Sequence, residues 1–389
     1  MTFGAGLFWL AVLLLAWVYA GYPLVAALVA RFRPFEPRPA TAASRPLVTV
    51  GIAAHDEASH LDARVANVLG QSGAFELEVI VASDGSTDAT SEVVRRLEAA
   101  DARVRLLDLE RSGQTAAQAE IFRAARGEIV VLTDAETRFA DGCLDRLVAP
   151  FADPRVGCTT GRLEWRAAER TQTSRNEGAY WRYEQVVRRV ESRAGWLTAV
   201  TGAMLAVRRS SYRDVPAHAS MDHLLPLYVR DQGLTVVAVP DAVGEDRPIS
   251  GLREQFRNRT RTATRGIRAN LSMAGRLAPW RRPSAALAIW SHKLLRWATP
   301  WLAGVALVGA AIEVAAGRTI YAVPLVVAGV LAALVLAGYA IRSRRGTPPR
   351  IAAFALSAAV VNLAFVVGWL NVARGRRIEA WDRAQWEAG

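Results

Sequence analysis

Four long apolar stretches constrain this 389-residue chain most strongly, because they decide which parts of it can lie in water. They cover residues 7–30, 298–316, 320–341 and 351–372. Each approaches the length of about 20 apolar residues that a helix needs to cross a membrane. Residues 7–30 lack the basic start and the small-residue cleavage site of a signal peptide, so we expect them to remain in the protein. The sequence predicts a membrane protein with a soluble region between its apolar ends.

The positions of the arginines predict the orientation. The net charge is +12, and Lys293 is the one lysine. No nucleic-acid motif accompanies this charge, so we expect membrane lipids rather than nucleic acid as partners. Arg31, Arg33 and Arg38 follow the first apolar stretch and no basic residue precedes it, which predicts a multi-pass protein of the cell membrane with its soluble region in the cytoplasm. Two cysteines suit that reducing compartment.

The soluble region alternates between strands and helices. Short runs rich in β-branched residues predict buried strands at 47–53, 78–82, 104–107 and 129–132, with helices between them. This alternation predicts an α/β domain with a parallel, doubly wound sheet. We expect Ser86 or Thr87 to cap the helix after the second strand.

Acidic residues follow three of these strands, and ligands of such sheets bind at the carboxyl ends of the strands. Asp56 and Glu57 follow the first strand, Asp84 the second, and Asp134 and Glu136 the fourth. Two carboxylates one residue apart at a strand end suit Mg²⁺ or Mn²⁺ bound to a diphosphate. The chain has neither G-x-G-x-x-G nor a Walker lysine, which argues against NAD and P-loop nucleotides.

Three motifs carry a resemblance to a known family. His55-Asp56-Glu57, the run SDGSTDAT at 83–90 and Asp134-Ala135-Glu136 resemble family 2 inverting glycosyltransferases with the GT-A fold. The flanking apolar stretches resemble the branch with cellulose, hyaluronan and poly-N-acetylglucosamine synthases. The resemblance implies a UDP-sugar donor, with Glu57 and Asp84 holding the uridine and Asp134 and Glu136 holding the metal. It also implies a nucleotide-sugar pocket formed by Ala54, Asp56, Glu57, Asp84, Gly85, Asp134, Gly202, Arg257, Arg259 and Arg261.

Asp222 matches the position where the family has its general base. An inverting transfer needs a carboxylate that takes the proton of the acceptor hydroxyl. The backbone at Gly202 can approach the sugar, although a tight turn explains this glycine equally well. Glu245 matches an acidic position that the branch often carries after its next strand, predicted here at 235–239.

Residues 255–265 (QFRNRTRTATR) occupy the place of the family's Q-x-x-R-W motif. Aligned on Arg259, the Gln and Trp positions hold Phe256 and Thr260, which weakens the case for processive polymerisation. Arg257, Arg259 and Arg261 suit phosphate recognition, and a solvated basic helix is the alternative. Ser83 and Gln114 depart from the family's usual Asp and Lys.

The resemblance divides the chain into five parts. They are an N-terminal transmembrane helix (1–33), a cytoplasmic GT-A domain (45–250), amphipathic interface helices (251–296), a C-terminal transmembrane region of two or three helices (297–373) and a tail (374–389). His292 is expected to anchor the membrane interface. The helix predicted at 180–191 either packs against the rest of the protein or faces the acceptor. Residues 351–372 either span the membrane or are re-entrant or interfacial, because a spanning helix would put the basic tail outside.

The function expected from the sequence is therefore transfer of a sugar from a nucleotide-sugar to a polysaccharide or lipid-linked acceptor, in the synthesis of exopolysaccharide or cell-envelope glycans. Addition of a single sugar to a polyprenyl phosphate or a lipid-linked oligosaccharide is the alternative within enzymes. Outside enzymes, a non-catalytic membrane scaffold or nucleotide sensor that keeps the fold and a transporter are the alternatives.

Overall fold

The computed structural model describes residues 2–39, 45–165, 172–247, 251–344 and 346–376, with only the backbone for 172–181. Residues 166–171 and 248–250 of the predicted GT-A domain and residues 377–389 of the predicted tail lie outside these ranges. The strands are β1 Leu47–Ala54, β2 Glu76–Asp84, β3 Val104–Leu109, β4 Ile129–Thr133, β5 Arg138–Phe139, β6 Val156–Trp165, β7 Leu205–Arg208 and β8 Thr235–Asp246. The helices are α1 Phe3–Phe32, α2 Ala58–Leu69, α3 Thr90–Ala100, α4 Gln114–Ala124, α5 Cys143–Val148, α6 Gln172–Arg193, α7 Met221–Asp231, α8 Leu252–Met273, α9 Pro283–Trp297, α10 Thr299–Ala315, α11 Ala322–Ser343 and α12 Arg350–Ala373.

The strands of the described residues form one sheet in the order β3-β2-β1-β4-β7-β6-β8-β5. β1 to β4 are parallel, as predicted. The prediction of an entirely parallel sheet was wrong, because β7 runs antiparallel to both β4 and β6, and β5 runs antiparallel to β8. β7 has four residues and β5 two, which is too short for the sequence to indicate a direction.

Both faces of the parallel half are buried, which explains its apolar strands. On one face Ile80, Val130 and Leu132 belong to a core with Ile121 of α4. The other face forms a second core with Leu61 and Val65 of α2 and Val94 of α3. The side chains of the parallel strands therefore support the sheet edge from both sides.

The turn after β2 differs from the predicted cap. The helix α3 begins at Thr90, and neither Ser86 nor Thr87 caps it. The Thr87 N–H and hydroxyl donate instead to Asp56 Oδ1, and Asp88 accepts the N–H of Thr90. The capping prediction was wrong because the preceding loop competes for these hydroxyl groups.

All four apolar stretches are helical. Phe3–Phe32, Thr319–Ser343 and Arg350–Ala373 are long and apolar enough to cross a membrane, and Pro283–Trp297 with Thr299–Ala315 forms a pair bent by 65° that counts as a fourth candidate. α8 runs beside α12, with Gln255 Nε2 donating to Ser357 Oγ at 2.9 Å and Asn371 Nδ2 donating to Thr264 Oγ1 at 3.3 Å. The predicted basic helix is therefore joined to the last apolar helix.

A buried ionic cluster joins α6 to α9. The side chain of Glu184 accepts hydrogen bonds from Arg188, Lys293 and Arg296 at 2.9, 3.1 and 2.6 Å. His292 is only 2% exposed and lies between Glu184 and Glu191, at 3.1 and 2.7 Å. The prediction that His292 anchors the membrane interface was wrong, because two carboxylates hold it inside the protein.

Candidate active site

A cavity of about 350 Å³ opens at the carboxyl end of β4. Asp134 follows β4, Gly202 belongs to the turn before β7, and Asp222 lies in the first turn of α7. Arg259 and Arg261 of α8 line the same cavity. The fold thus brings together five residues that the sequence predicted, from four separate segments of the chain.

Asp222 is held in place within this cavity. Ser220 donates its hydroxyl to Asp222 Oδ1, and His223 Nδ1 lies 3.0 Å from the same oxygen. A Cβ at Gly202 would lie 3.5 Å from Asp222 Oδ2, so the glycine leaves space beside the carboxylate. Burial alone would raise the pKa of Asp222, but His223, Ser220 and Arg265 hold it well below its usual range. The Asp222 carboxylate is therefore ionised and fixed in its orientation.

The surroundings of Asp134 shift its pKa in the opposite direction. Burial raises the pKa of its carboxyl to about 7, and the carboxylates of Asp246 and Asp222 act in the same direction. Arg64 and Arg261 oppose this rise. Gln114 Nε2 lies 3.5 Å from Asp134 Oδ1, at the position where many family members have Lys. Two carboxylates, Asp134 and Asp222, and three arginines, Arg259, Arg261 and Arg265, line the cavity. A cation bound at Asp134 would therefore relieve the local repulsion from Asp246 and Asp222 rather than fill a negatively charged cavity.

Sequence reasoning missed Arg64, which fixes the loop that carries Asp134. Its Nη2 donates to Thr133 Oγ1 at 2.7 Å and its Nε to the Asp134 carbonyl at 3.2 Å. The guanidinium also lies over the Phe139 ring, 4.2 Å from its centroid. Burial lowers the pKa of Arg64 to about 10. The signal was present, since Arg64 falls on the same helical face as the buried Leu61 and Val65.

The sequence motifs also pointed to Glu245 as the acidic residue near the site and not to its neighbour Asp246. Strand β8 extends to Asp246, so the prediction that Glu245 follows the strand was wrong. Neighbouring residues of a strand point to opposite faces. Glu245 is exposed and opposite Arg138 of β5, whereas Asp246 is close enough to raise the pKa of Asp134.

Glu136 does not line the cavity. Its carboxylate groups with Glu57 and His60, and one ligand atom from each residue lies within 4.8 Å of the others. His60 Nδ1 is 2.8 Å from Glu57 Oε2. The two carboxylates of the D-x-E motif therefore belong to two different groups of side chains.

The predicted residues at the ends of β1 and β2 shape the neighbouring loops. Asp56 has φ +55°, the one positive value outside glycine among the described residues, which is typical of functional loops. Thr87 N–H donates to its carboxylate at 2.7 Å. Gly85 has φ +60°, and a Cβ there would lie 2.7 Å from the Arg111 nitrogen, so only glycine fits.

Asp84, Glu57 and Ala54 are buried and do not line the cavity. The Asp84 carboxylate accepts the N–H groups of Ser112 and Gly113 at 2.7 and 2.9 Å, which shapes the start of α4. Contact of these residues with a nucleotide stays a prediction. Arg257 is exposed and does not line the cavity either, unlike Arg259 and Arg261.

The mixed α/β sheet has the arrangement of a GT-A-like glycosyltransferase fold. Residues 49–215 match the family described as glycosyl transferase family 2. A mannosyltransferase from Pyrobaculum calidifontis, solved in complex with GDP-Man and Mn²⁺, has a similar structure, with a TM-score of 0.63 and 25% identity over 92% of this chain and 99% of that one.

Two relatives are named N-acetylglucosaminyltransferase. The one from Azorhizobium caulinodans is 27% identical over 237 residues, which cover 60% of this chain and 54% of the relative. The one from Bradyrhizobium diazoefficiens is 26% identical over 230 residues, covering 55% and 47%. The match thus spans about half the length of these relatives.

Proposed function

We propose that this protein is a membrane-embedded inverting glycosyltransferase that faces the cytoplasm of the cell. It transfers a sugar from a nucleotide-sugar to a polysaccharide or lipid-linked acceptor. The observation that carries the proposal is the pairing of Asp134 and Asp222 in one cavity that arginines of α8 also line. Asp222 is held ionised and can accept a proton, and a cation would relieve the repulsion that Asp134 experiences from neighbouring carboxylates.

Asp134 fits a divalent cation, because Asp246 and Asp222 oppose its ionisation and a bound cation would relieve that repulsion. Asp134 would hold Mg²⁺ or Mn²⁺ on the donor's diphosphate. Glu136, the second ligand predicted from the sequence, lies outside this cavity in a group with Glu57 and His60, so its contact with the same cation stays a prediction. When bound, the cation neutralises charge on the leaving diphosphate. The Mn²⁺ in the structure of the Pyrobaculum mannosyltransferase supports this choice.

The chemistry assigns Asp222 as the base. Its carboxylate takes the proton of the acceptor hydroxyl as that oxygen bonds to the anomeric carbon. The bond from this carbon to the diphosphate breaks on the opposite face, so the configuration inverts. Arg259 and Arg261 bind the phosphate oxygens, for which planar guanidinium groups are suited.

The donor is proposed to be a UDP-sugar, on the resemblance of the sequence motifs and on relatives named N-acetylglucosaminyltransferase. Glu57 and Asp84 would then hold the uridine, and Ala54, Asp56 and Gly85 would belong to the same nucleotide-sugar pocket. GDP-mannose is the rival donor, because the Pyrobaculum mannosyltransferase was solved with it.

Single addition to a lipid-linked acceptor is the second candidate. Thr260 is buried at the position of the family's Trp, and Phe256 replaces its Gln. No more than four membrane spans are available among the described residues to form a channel for a polymer.

The proposal is tested with purified protein in lipid. It is incubated with UDP-N-acetylglucosamine, UDP-glucose, GDP-mannose and Mg²⁺ or Mn²⁺, with membrane extract as a source of acceptor, and the released nucleoside diphosphate is measured. Metal-dependent release with one UDP-sugar is expected, and product length on a gel separates single addition from polymerisation. Tight nucleotide binding without turnover under all conditions would support a scaffold or sensor instead.

A further inference from the structure

A second cavity, of about 410 Å³, lies beyond the catalytic one along α8. Its wall from this helix includes Arg265, Arg268, Ala269, Ser272 and Met273, and Arg276 follows the end of the helix. The helical positions recur every three or four residues, at 265, 268–269 and 272–273, and therefore share one helical face. Arg265 lines both cavities, so α8 connects the catalytic cavity to a space that the proposed reaction does not use.

The second cavity carries excess positive charge. Arg213, Arg265, Arg268 and Arg276 line it together with His218, against Asp214 as the one lining carboxylate in the described residues. Asp231, just outside, lies 2.8 Å from Arg213 and 3.4 Å from Arg276. Asp214 lies 3.0 Å from Arg123.

Two of the arginines make no ion pair with the described residues. Arg268 Nη2 donates to the Arg376 carbonyl at 2.6 Å. Arg265 is only 8% exposed. Its Nη2 donates to the Ala219 carbonyl and, at 3.1 Å, to Thr115 Oγ1. Its Nε–H has no hydrogen-bond partner among the described residues. The carboxylate that favours the charge of Arg265 is Asp222 of the catalytic cavity. An anion in the second cavity would further offset the cost of burying this cation.

The cavity has an apolar floor and lies close to the membrane-directed helices. Leu224, Ala269 and Met273 are buried parts of the main core. Trp280, 84% exposed, lies between α8 and the bent helix pair that begins at Pro283. Exposed tryptophans are typical of the membrane–water interface.

We propose that this second cavity binds a phosphate group, carried either by an anionic membrane lipid or by a free phosphate ester. Arg268 and Arg276 would hold the phosphate at the mouth, Arg265 would contribute its charge from beneath, and the apolar floor would hold carbon next to the phosphate. This site goes beyond the proposed transfer, since it does not include Asp134 or Asp222.

The test uses the full chain in a neutral detergent and native mass spectrometry. Phosphatidylglycerol, phosphatidylcholine and inorganic phosphate are titrated separately, and the variant Arg268→Gln/Arg276→Gln is compared with wild type. Arg253→Gln is the matched control, since Arg253 is an exposed arginine of the same helix outside the cavity. Thermal unfolding of each variant verifies that it is folded.

The double variant is expected to lose affinity for the anion about tenfold, because each charge-assisted contact contributes more than a neutral one. Arg253→Gln should keep the affinity of wild type. A loss for phosphatidylglycerol identifies a lipid as the ligand, and a loss for inorganic phosphate alone identifies a free phosphate ester. Equal affinity of wild type and the folded double variant for all three probes would overturn the proposal.

Discussion

Asp134 and Asp222 line the same cavity, yet their surroundings shift their pKa values in opposite directions. The pKa of Asp134 is raised to about 7, first by burial and then by Asp246 and Asp222. His223, Ser220 and Arg265 overcome burial to hold the pKa of Asp222 below its usual range. Such divergent pairs are found where two carboxylates have different tasks.

Asp134→Asn is expected to stabilise the metal-free protein at pH 8. With its raised pKa, Asp134 keeps its proton in the folded protein after the unfolded chain has lost it, so its ionisation lowers stability between about pH 4 and pH 7. After allowance for solvent screening, we expect a gain of about 1–3 kcal/mol at pH 8 and almost none at pH 4. Thermal unfolding in a chelator at both pH values measures it.

Asp62→Asn, which changes an exposed carboxylate paired with Arg96, is the control for this experiment. Added Mn²⁺ should raise the unfolding temperature of wild type and not that of Asp134→Asn. A folded Asp134→Asn protein that is less stable than wild type at pH 8 without metal would contradict the electrostatic argument.

Arg64→Leu is expected to destabilise the protein by about 3 kcal/mol, because it leaves the Thr133 hydroxyl and the Asp134 carbonyl without their donor. The affinity for Mn²⁺ should fall as well, since Asp134 is attached to the same loop. Thermal unfolding and metal titration are the measurements. Arg96→Leu, at an exposed salt bridge, should change stability little. Equal losses for the two variants would refute the role of Arg64.

Glu184→Gln is expected to cost about 3 kcal/mol at neutral pH, because Lys293 and Arg296 would keep their buried charges without the carboxylate. Burial opposes ionisation, but Lys293, His292, Arg296 and Arg188 hold the pKa of Glu184 well below its usual range. The ionised carboxylate therefore stabilises the folded state above about pH 4.5, and this contribution disappears as the pH falls through the folded-state pKa.

The difference in unfolding temperature between wild type and Glu184→Gln should thus be constant from pH 6 to pH 8 and shrink in acid. Arg188 Nη1 also donates to Thr201 Oγ1 at 2.7 Å, and Thr201 lines the catalytic cavity. Donor affinity should fall together with stability. A difference that grows in acid would refute this account.

The tail that begins at Arg374 is expected in the cytoplasm. Two hydrogen bonds attach one face of α12 to the arginine-rich α8. They join Gln255 to Ser357 and Thr264 to Asn371. The other face of α12 exposes Ile351, Phe354 and Leu363. We propose that α12 lies along the membrane surface, which satisfies the positive-inside rule for the arginines that follow it.

A cysteine at Arg376 tests this orientation, because the native Cys143 and Cys158 are both buried. A membrane-impermeant maleimide should label Arg376→Cys in inside-out vesicles and not in intact cells. Arg318→Cys, in the loop between α10 and α11, is the control expected to be labelled from outside. Labelling of Arg376→Cys in intact cells would mean that α12 spans the membrane.

The parallel half of the fold was predictable because buried strands such as β1 and β4 are continuous β-branched runs. Motifs at the end of β4 and at the start of α7 indicated Asp134 and Asp222, and the structure places both in one cavity. The direction of β7 was not, since four residues carry no directional signal. The separation of Glu136 from Asp134 was not predictable either. It depends on how the loop that Arg64 fixes orients the two side chains.

The sequence alone does not distinguish a charged residue that is buried for function from one that is buried for structure. His292 lies next to apolar residues at a predicted interface, and only the fold reveals that Glu184 and Glu191 enclose it. Asp246 was missed because its neighbour Glu245 is equally acidic, and a single bulge or shift of the strand exchanges their faces. Contacts between distant segments decide such cases.

The most direct test of the central claim is the activity of Asp222→Asn. Donor binding and sugar transfer are measured side by side for wild type, Asp222→Asn and Glu245→Gln, an exposed acidic control on β8. We predict that Asp222→Asn binds the donor as wild type does and transfers at least about a hundredfold more slowly, while Glu245→Gln stays active. Full transfer activity of a folded Asp222→Asn protein would contradict the assignment of Asp222 as the base.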